Sequence, residues 1–318
     1  MSRAAPSEPT AGRCFVCGAR DWRADGALDL CGHCGTRVRR PYDAAACRSA
    51  LEMLLVPGPV ALDPSLPFRL DAYTMRVAAS GAGLSFEPAD RDEAFALAYP
   101  HSERPARGWL RPLEGRVRSV ALAMIARAGE LDGLLPRLAA LGSWFRDVLV
   151  IADAENDAVL PRQDGVRVLA RPLDGDFGAQ RNAGMAASAA QWAFHLDLDE
   201  TVDDAFMAAL SRLAAHAERA GLAAVGFARR NRVDGVLSDH FPDVQYRLVQ
   251  RDQRFVGRVH ERPAACASWP RTTIALHGAI DHHLERARIA RRHALHERLG
   301  HQGERQADMA ALLRPFRP

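Results

Sequence analysis

The 318-residue chain is 48% hydrophobic and 25% charged, an ordinary globular composition with room for one large domain and a small one. All 42 basic residues are arginine and 39 residues are acidic, so the net charge is only +3. That gives no case for a nucleic-acid partner and warns against reading every arginine as a phosphate ligand. No stretch approaches the ~18 apolar residues of a membrane span. The opening Met-Ser-Arg-Ala-Ala-Pro lacks the apolar core of a secretory signal. The expected location is the cytoplasm, which is compatible with a peripheral contact on the inner membrane face.

Residues 1–12 read as a disordered lead. Cys14-Phe-Val-Cys17-Gly18 follows and, thirteen residues later, Cys31-Gly-His-Cys34-Gly35. In each, two thiolates spaced two residues apart can grip one ion, and the glycine lets the backbone turn beneath it. Two such knuckles predict a closed, structural Zn²⁺ site on Cys14, Cys17, Cys31 and Cys34, against a redox or disulfide alternative. His33 is expected to be a solvent-facing passenger. A ribbon over residues 1–41 has almost no hydrophobic core of its own, so the metal is expected to supply its folding energy. Docking a partner, holding an acceptor and capping the next domain all remain open as its role.

Residues 42–115 carry no recognisable chemistry. Helices are expected at 44–56 and 70–80 and a short strand at 83–86. Residues 100–112, rich in Pro, Arg and Gly, read as a linker. Cys47 reads as a buried apolar residue rather than a fifth ligand.

From about residue 116 to 284 the pattern changes. Apolar runs at 119–126, 147–152, 166–170 and 192–196 read as strands. Helical sequence lies at 130–141 and 180–190. This alternation predicts βαβ units and an α/β, Rossmann-like, mostly parallel sheet, with ligands beyond the carboxyl ends of the strands. Asp153 and the run Leu196-Asp-Leu-Asp-Glu200 fall at such ends. Strand alternation would point Asp197 and Asp199 to one side as a seat for Mg²⁺ or Mn²⁺. The plainer reading is the acidic first turn of the next helix. Residues 285–318 read as an Arg-rich helical tail whose His293, His296 and His301 are solvated.

Several ordered motifs resemble those of family-2 glycosyltransferases of GT-A fold, in the branch of lipopolysaccharide-core β-glucosyltransferases. They are Met124-Ile-Ala-Arg127-Ala-Gly-Glu130, the strand ending in Asp153, Asp176-Phe-Gly-Ala-Gln180-Arg181-Asn182, and Leu196-Asp-Leu-Asp-Glu200. Asp243-Val-Gln245-Tyr-Arg247-Leu248, Val259-His260-Glu261 and Leu276-His-Gly-Ala-Ile-Asp-His282 complete the set.

The resemblance implies inverting transfer of a sugar from a nucleotide-diphosphate donor, a UDP-sugar first, to a hydroxyl of a glycan or glycolipid acceptor. It implies that Asp197 and Asp199, with His282, hold the cation, and that Asp153 reads the nucleoside. Arg127 and Arg181 are donor-binding candidates, and Asp243, then Glu261, candidates for the base. The plainer alternatives are ion pairs of Asp243 with Arg247 and of Glu261 with Arg258 or Arg262, a surface position for Arg181, and an ordinary polar strand position for His282.

Two departures fall where the nucleotide base would bind. Ala128 stands where the family has Asn, and the second turn is Asp153-Ala-Glu-Asn-Asp157 rather than the Gly-Ser-Thr type. Two other classes stay open: a zinc-ribbon adaptor or binding protein with an inactive transferase domain, and a nucleotidyltransferase.

Overall fold

The computed structural model describes residues 12–116, 119–289 and 304–317. The N-terminal part contains β1 (Trp22–Asp25), β2 (Leu28–Cys31), β3 (Arg37–Arg39), α1 (Ala44–Leu54), β4 (Gly58–Ala61) and β5 (Phe68–Arg69). It continues through α2 (Ala72–Gly81), β6 (Leu84–Pro88), α3 (Arg91–Ala96) and β7 (Arg107–Pro112). The larger part begins with β8 (Val120–Arg127), α4 (Leu131–Ala139), β9 (Asp147–Asp153), β10 (Arg167–Ala170), α5 (Phe177–Ala187), β11 (Trp192–His195) and β12 (Glu200–Thr201). It ends with α6 (Asp204–Arg219), β13 (Ala224–Val233), β14 (Val236–Leu237), β15 (Asp243–Gln250), β16 (Phe255–Val256), β17 (Arg262–Pro263), β18 (Thr272–Leu284) and a helix over Glu304–Leu313, α7.

The main sheet runs β10-β9-β8-β11-β15-β13-β18-β12, with β14 beside β13. Strands β10, β9, β8 and β11 are mutually parallel. This is the Rossmann-like α/β half expected from the sequence. The chain grows outward from β8 through β9 to β10 and then returns to β11, so the order reverses between β8 and β11. The crevice beyond their carboxyl ends is where such folds take ligands. The second half is mixed, because β15 is antiparallel to both β11 and β13, and β13 is parallel to β18.

The central strands are buried on both faces. Leu122 and Met124 of β8 join Val148 and Val150 of β9 in a core shared with Leu131, Leu134, Leu135 and Leu138 of α4 and Phe206, Leu210 and Leu213 of α6. The opposite face is lined with small residues, so α5 sits close to it. A Cβ on Gly184 of α5 would lie 2.7 Å from Ile151 Cδ1 and 3.9 Å from Ala123 Cβ.

The N-terminal part is a structured module. Four antiparallel strands run β1-β2-β3-β5 and three run β4-β7-β6. Residues 107–112, read from composition as part of a linker, form the central strand β7, because Leu110 is buried between two partners despite the flanking Pro and Gly. The ribbon also has a core: its four cysteines, Phe15, Trp22 and Val38 pack in one cluster with Phe68, Tyr73, Met75, Phe86 and Ile274. Cys47 is buried in the same cluster.

This module is docked on the main sheet through α2 and β18. Arg76, 3% exposed, donates to the carbonyls of Thr272 at 2.5 Å, Trp269 at 3.0 Å and Pro270 at 3.3 Å. Burial lowers its pKa to about 10. Ser80 Oγ accepts from Leu276 N at 2.9 Å. A second tie lies near the first knuckle, where Arg13, Arg20 and Arg314 surround the carboxylate of Asp239. Arg13 also stacks 3.9 Å over Phe316. The segment after α7 continues onto β14, with Phe316 N donating to Leu237 O at 2.8 Å. Residues 304–317 therefore close against the ribbon and the 237–241 loop together. The tail histidines at 293, 296 and 301 lie outside the described residues.

Replacing Arg76 with Leu should strand three buried carbonyls and cost about 2–4 kcal/mol in urea unfolding. Replacing the more exposed Arg107, which pairs with the exposed Asp90, with Ala should change stability by less than about 1 kcal/mol. Equal effects would contradict a docking role for Arg76.

Candidate active site

The motif Asp176-Phe-Gly-Ala-Gln-Arg-Asn182 forms the first turns of α5, and nearly every polar residue in it is used. Asp176 caps the helix, its Oδ1 accepting from Ala179 N at 2.8 Å. Gly178 is where another backbone crosses: a Cβ there would lie 2.4 Å from Gly257 O and 3.5 Å from Glu261 Cβ. Gln180 Nε2 donates to Arg171 O at 2.7 Å. Asn182 clamps β16 from both sides, donating to Phe255 O at 3.0 Å and accepting from Phe255 N at 2.8 Å. The loop bearing Glu261 is thereby fixed to the helix bearing Arg181.

Arg181 is buried, 5% exposed, not on the helix surface. Its Nε donates to Glu261 Oε1 at 2.7 Å and its Nη2 to Asp197 Oδ1 at 3.0 Å. Arg247, equally buried, holds the other oxygen of Asp197 and donates to Glu200 Oε1 at 2.6 Å. Glu200 Oε1 also accepts from Arg229 Nη1 at 3.2 Å, and its Oε2 from the backbone N of Asp197 at 3.0 Å. Arg229 in turn donates to Asp243 Oδ2 from Nε at 2.8 Å and Nη2 at 2.5 Å.

These contacts form one alternating chain: Glu261, Arg181, Asp197, Arg247, Glu200, Arg229, Asp243. The partner of Asp243 is Arg229, its cross-strand neighbour in register, rather than Arg247. The partner of Glu261 is Arg181 rather than Arg258 or Arg262.

Beyond His195 the chain leaves the sheet, so Asp197 and Asp199 lie in a turn and not on one strand face. That turn is pinned to β18: His283 N donates to Asp199 O at 2.7 Å, and Glu200 pairs with His282 in register. β18 bulges just before this point. Its register with β13 jumps from Phe227↔Ala275 to Arg229↔Ile280 around Gly278, whose φ of 82° suits glycine. The jump brings His282 opposite Asn231, with His282 Nδ1 2.7 Å from Asn231 Oδ1 and Nε2 3.5 Å from Asp199 Oδ2.

The electrostatics are layered. The side chains of Asp197 and Asp199 are 33% and 27% exposed, whereas those of Arg181 and Arg247 behind them are 5% and 6% exposed. Burial opposes ionisation of Asp197, but Arg247 and Arg181 outweigh it and hold the carboxyl far below its usual range. Burial likewise opposes ionisation of Asp199, and contact with His282 carries the balance downward. For Asp243 the burial cost is offset by Arg229, His240 and Asn231, which bring it down to about 2. His195, fully buried in front of Arg181 and Arg247, is pushed well below the ordinary imidazole value by burial first and then by those cations.

Asp153 and Arg127 stand opposite each other at the carboxyl ends of β9 and β8. Asp153 Oδ1 accepts from Leu173 N at 2.9 Å, and the exposed Arg127 is held only through its backbone, which donates to Glu130 Oε2 at 2.8 Å. Among the described residues neither shares a hydrogen bond or ion pair with the Asp197–Asp243 network.

The four cysteines come together as expected. Cys14 and Cys34 sulfurs are 3.7 Å apart, as are Cys17 and Cys31, and all four lie within 4.8 Å of one another, so one metal ion could bind all of them. A tetrahedron of sulfurs about 2.3 Å from a metal has edges of about 3.8 Å. Among the described residues this is the one His/Cys/Asp/Glu cluster of three or more with that reach. His33 is not solvent-facing: it is half-buried, its Nε2 has no hydrogen-bond partner, and burial lowers its pKa.

Sequence reasoning missed Glu200, Arg229 and Asn231 as parts of the site. Glu200 sat in a quoted motif and Arg247 in another, but nothing in the sequence distinguishes Arg229 among 42 arginines.

No known protein-family profile matches the chain, and no curated protein matches it. Among solved structures, it is similar to Staphylococcus aureus TarS 1–349, with 11% identity and a TM-score of 0.32 over 52% of this chain and 60% of that one. The same TarS segment in complex with UDP gives 13% identity and a TM-score of 0.35 over the same shares. A longer S. aureus TarS structure gives 13% and 0.33, covering 52% of this chain and 36% of that one. The match thus spans less than two thirds of each TarS chain.

A carboxyl whose pKa is lowered on folding adds stability above its unfolded value of about 3.9, and that contribution is lost as pH falls through the folded value. For Asp243 the window runs from about pH 4 down to about 2. Wild-type stability in urea should fall across it, and Asp243→Asn should fall less steeply. Parallel curves for the two proteins would show that the Arg229 pair contributes nothing.

Proposed function

We propose that this protein is a metal-dependent, inverting family-2 glycosyltransferase. It moves a hexosyl group from a nucleotide-diphosphate sugar, a UDP-sugar first, to a hydroxyl of a glycan or glycolipid acceptor of lipopolysaccharide or capsule type. The observation that carries the reading is the acidic rim of Asp197 and Asp199. It lies just beyond the carboxyl end of β11, beside the point where strand order reverses, and is backed by buried arginines.

The residues fit a hard divalent cation. Five carboxylates (Asp197, Asp199, Glu200, Asp243, Glu261) face three buried or half-buried arginines (Arg181, Arg229, Arg247) and the exposed Arg288, 3.6 Å from Asp199 Oδ2, so one negative charge remains at the rim. Asp199 Oδ2 and His282 Nε2, 3.5 Å apart, are close to the roughly 3 Å between adjacent ligands of an octahedral Mg²⁺. Asp199 and His282 would hold the ion, with Asp197 beside them. When bound, the cation neutralises charge developing on the leaving diphosphate. Asp153 and Arg127 would face the nucleoside and diphosphate from β9 and β8. Arg181 sets the positions of Asp197 and Glu261.

Inverting transfer needs one carboxylate with a free lone pair near the acceptor hydroxyl. Asp243 is a weak base in this setting: both oxygens accept hydrogen bonds, from Arg229, Asn231 and Gln245, and its pKa is down to about 2. Among the described residues Glu261 accepts from Arg181 on Oε1, with no further donor on Oε2, which favours Glu261 as base and Asp243 as the residue that orients the acceptor side. Asp199→Asn should abolish metal-dependent donor binding while leaving the fold intact. Glu261→Gln should keep donor affinity and lower kcat and kcat/KM together by ~10²–10⁴. If Asp243→Asn is the dead variant instead, the two roles are exchanged. Full activity in Asp199→Asn, or in excess chelator, would end the metal-dependent reading of the Asp197–Asp199 rim.

The ribbon is read as a structural zinc site. Purified protein should carry about one zinc on Cys14, Cys17, Cys31 and Cys34, and Cys31→Ser should lose it. Protection of residues 12–41 from proteolysis in zinc-free protein would contradict this.

A further inference from the structure

We propose that Asn231 is a positioning residue that presents His282 to a divalent cation and, with the same side-chain amide, holds Asp243 in register with that cation. The proposal rests on the transferase reading above.

Asn231 is 1% exposed, in the middle of β13. Its Nδ2 lies 3.1 Å from Asp243 Oδ2 and 3.3 Å from the carbonyl oxygen of His240. Both partners can only accept, so the nitrogen end of the amide must face them. The oxygen end is then fixed toward His282, whose Nδ1 is 2.7 Å away. An amide oxygen only accepts, so His282 Nδ1 must carry the proton, and in the neutral ring Nε2 is left as a bare lone pair.

That lone pair faces Asp199 Oδ2 at 3.5 Å. With the ring neutral, two acceptors face each other there, an arrangement relieved by a cation between them or by a second proton on Nε2. The exposed Arg288, its Nη1 3.6 Å from the same Asp199 oxygen, is the nearest positive charge and would share that oxygen with a bound ion. One asparagine therefore dictates a ligand-ready imidazole, in the way that outer-shell acceptors set metal-bound histidines. The same amide ties that imidazole to the carboxylate at the start of β15. Register supports the link, because Asn231 lies directly opposite His282 across the β13–β18 pair. Asn231→Asp keeps an acceptor for His282 and loses the donor to Asp243. Asn231→Leu loses both. A residue that merely filled space would not separate the two variants.

The experiment uses the full chain with Mn²⁺ alone, titrated by electron paramagnetic resonance, and ¹⁵N-histidine NMR of the protein before Mn²⁺ is added. In the wild type, His282 should be the Nδ1–H tautomer. Asn231→Leu should weaken Mn²⁺ binding about 10–100-fold and lose that tautomer. Asn231→Asp should keep the tautomer, bind Mn²⁺ within about threefold of wild type, and still lower kcat for hydrolysis of a UDP-sugar, because Asp243 loses one of its donors and meets a second carboxylate in its place. If the Leu variant does not fold, the Asp variant decides alone.

A His282 protonated on both nitrogens with no Mn²⁺ bound would overturn the proposal in favour of a plain ion pair with Asp199. So would equal loss of Mn²⁺ affinity in the Asp and Leu variants. Because neither the Mn²⁺ nor the NMR readout needs a sugar, the expected results there with no nucleotide-sugar turned over would uphold the cation-positioning role and discard the transferase reading.

Discussion

Glu200 is the side chain on which the network from Glu261 to Asp243 depends. It is 2% exposed, yet it accepts from two guanidiniums and from the backbone of Asp197. A carboxylate so buried is tolerated only when paired, and removing either partner would leave an uncompensated charge in low dielectric. Glu200 thus fixes Arg247 and Arg229 at once. Those arginines fix Asp197 on one side and Asp243 on the other, so the alternating chain reads as one object. Its geometry follows from strand order: β15 supplies Asp243 and Arg247, its neighbour β13 supplies Arg229, Asp197 lies between β11 and β12, and Glu200 opens β12, with Arg181 on α5 and Glu261 on the loop before β17.

The charge layering gives this network its chemical character. Buried arginines lower the carboxyls in front of them, and the carboxylates that remain open to solvent are those in the turn after β11. A rim built this way keeps its carboxyls below their ordinary range, with most of the compensating positive charge buried behind it and only Arg288 exposed beside Asp199. It also weakens those carboxylates as proton acceptors.

The N-terminal module is tied into the same framework. Arg76 reaches the segment that opens β18, Ser80 bonds to Leu276, and Arg13 with Arg20 grips Asp239, four residues before Asp243. The first knuckle touches the same loop: a Cβ on Gly18 would lie 2.9 Å from Phe241. A ribbon that served only as a free adaptor would have no need of these contacts with the strands that carry Asp243 and His282. The first knuckle and the loop that leads into β15 are therefore in direct contact.

By itself, the sequence determined the elements whose signal is local. Continuous apolar runs located β8, β9 and β11, because strands covered on both faces leave no polar position. The cysteine spacing located the knuckles, and the ordered motifs contained most of the residues that meet in the ion-pair network. Tertiary structure decided the rest for one reason: pairing is a property of neighbours, which sequence distance does not encode. Strand order made Arg229 the partner of Asp243, although Arg247 is nearer in the chain, and the crossing of Gly178 by the 257–261 loop drew Arg181 inward to Glu261. Residues 107–112 looked like a linker because Pro and Gly are judged locally, yet two flanking strands made them the middle of a sheet. Asn231 carried no signal at all, since the bulge at Gly278 that brings His282 opposite it exists only in the folded chain.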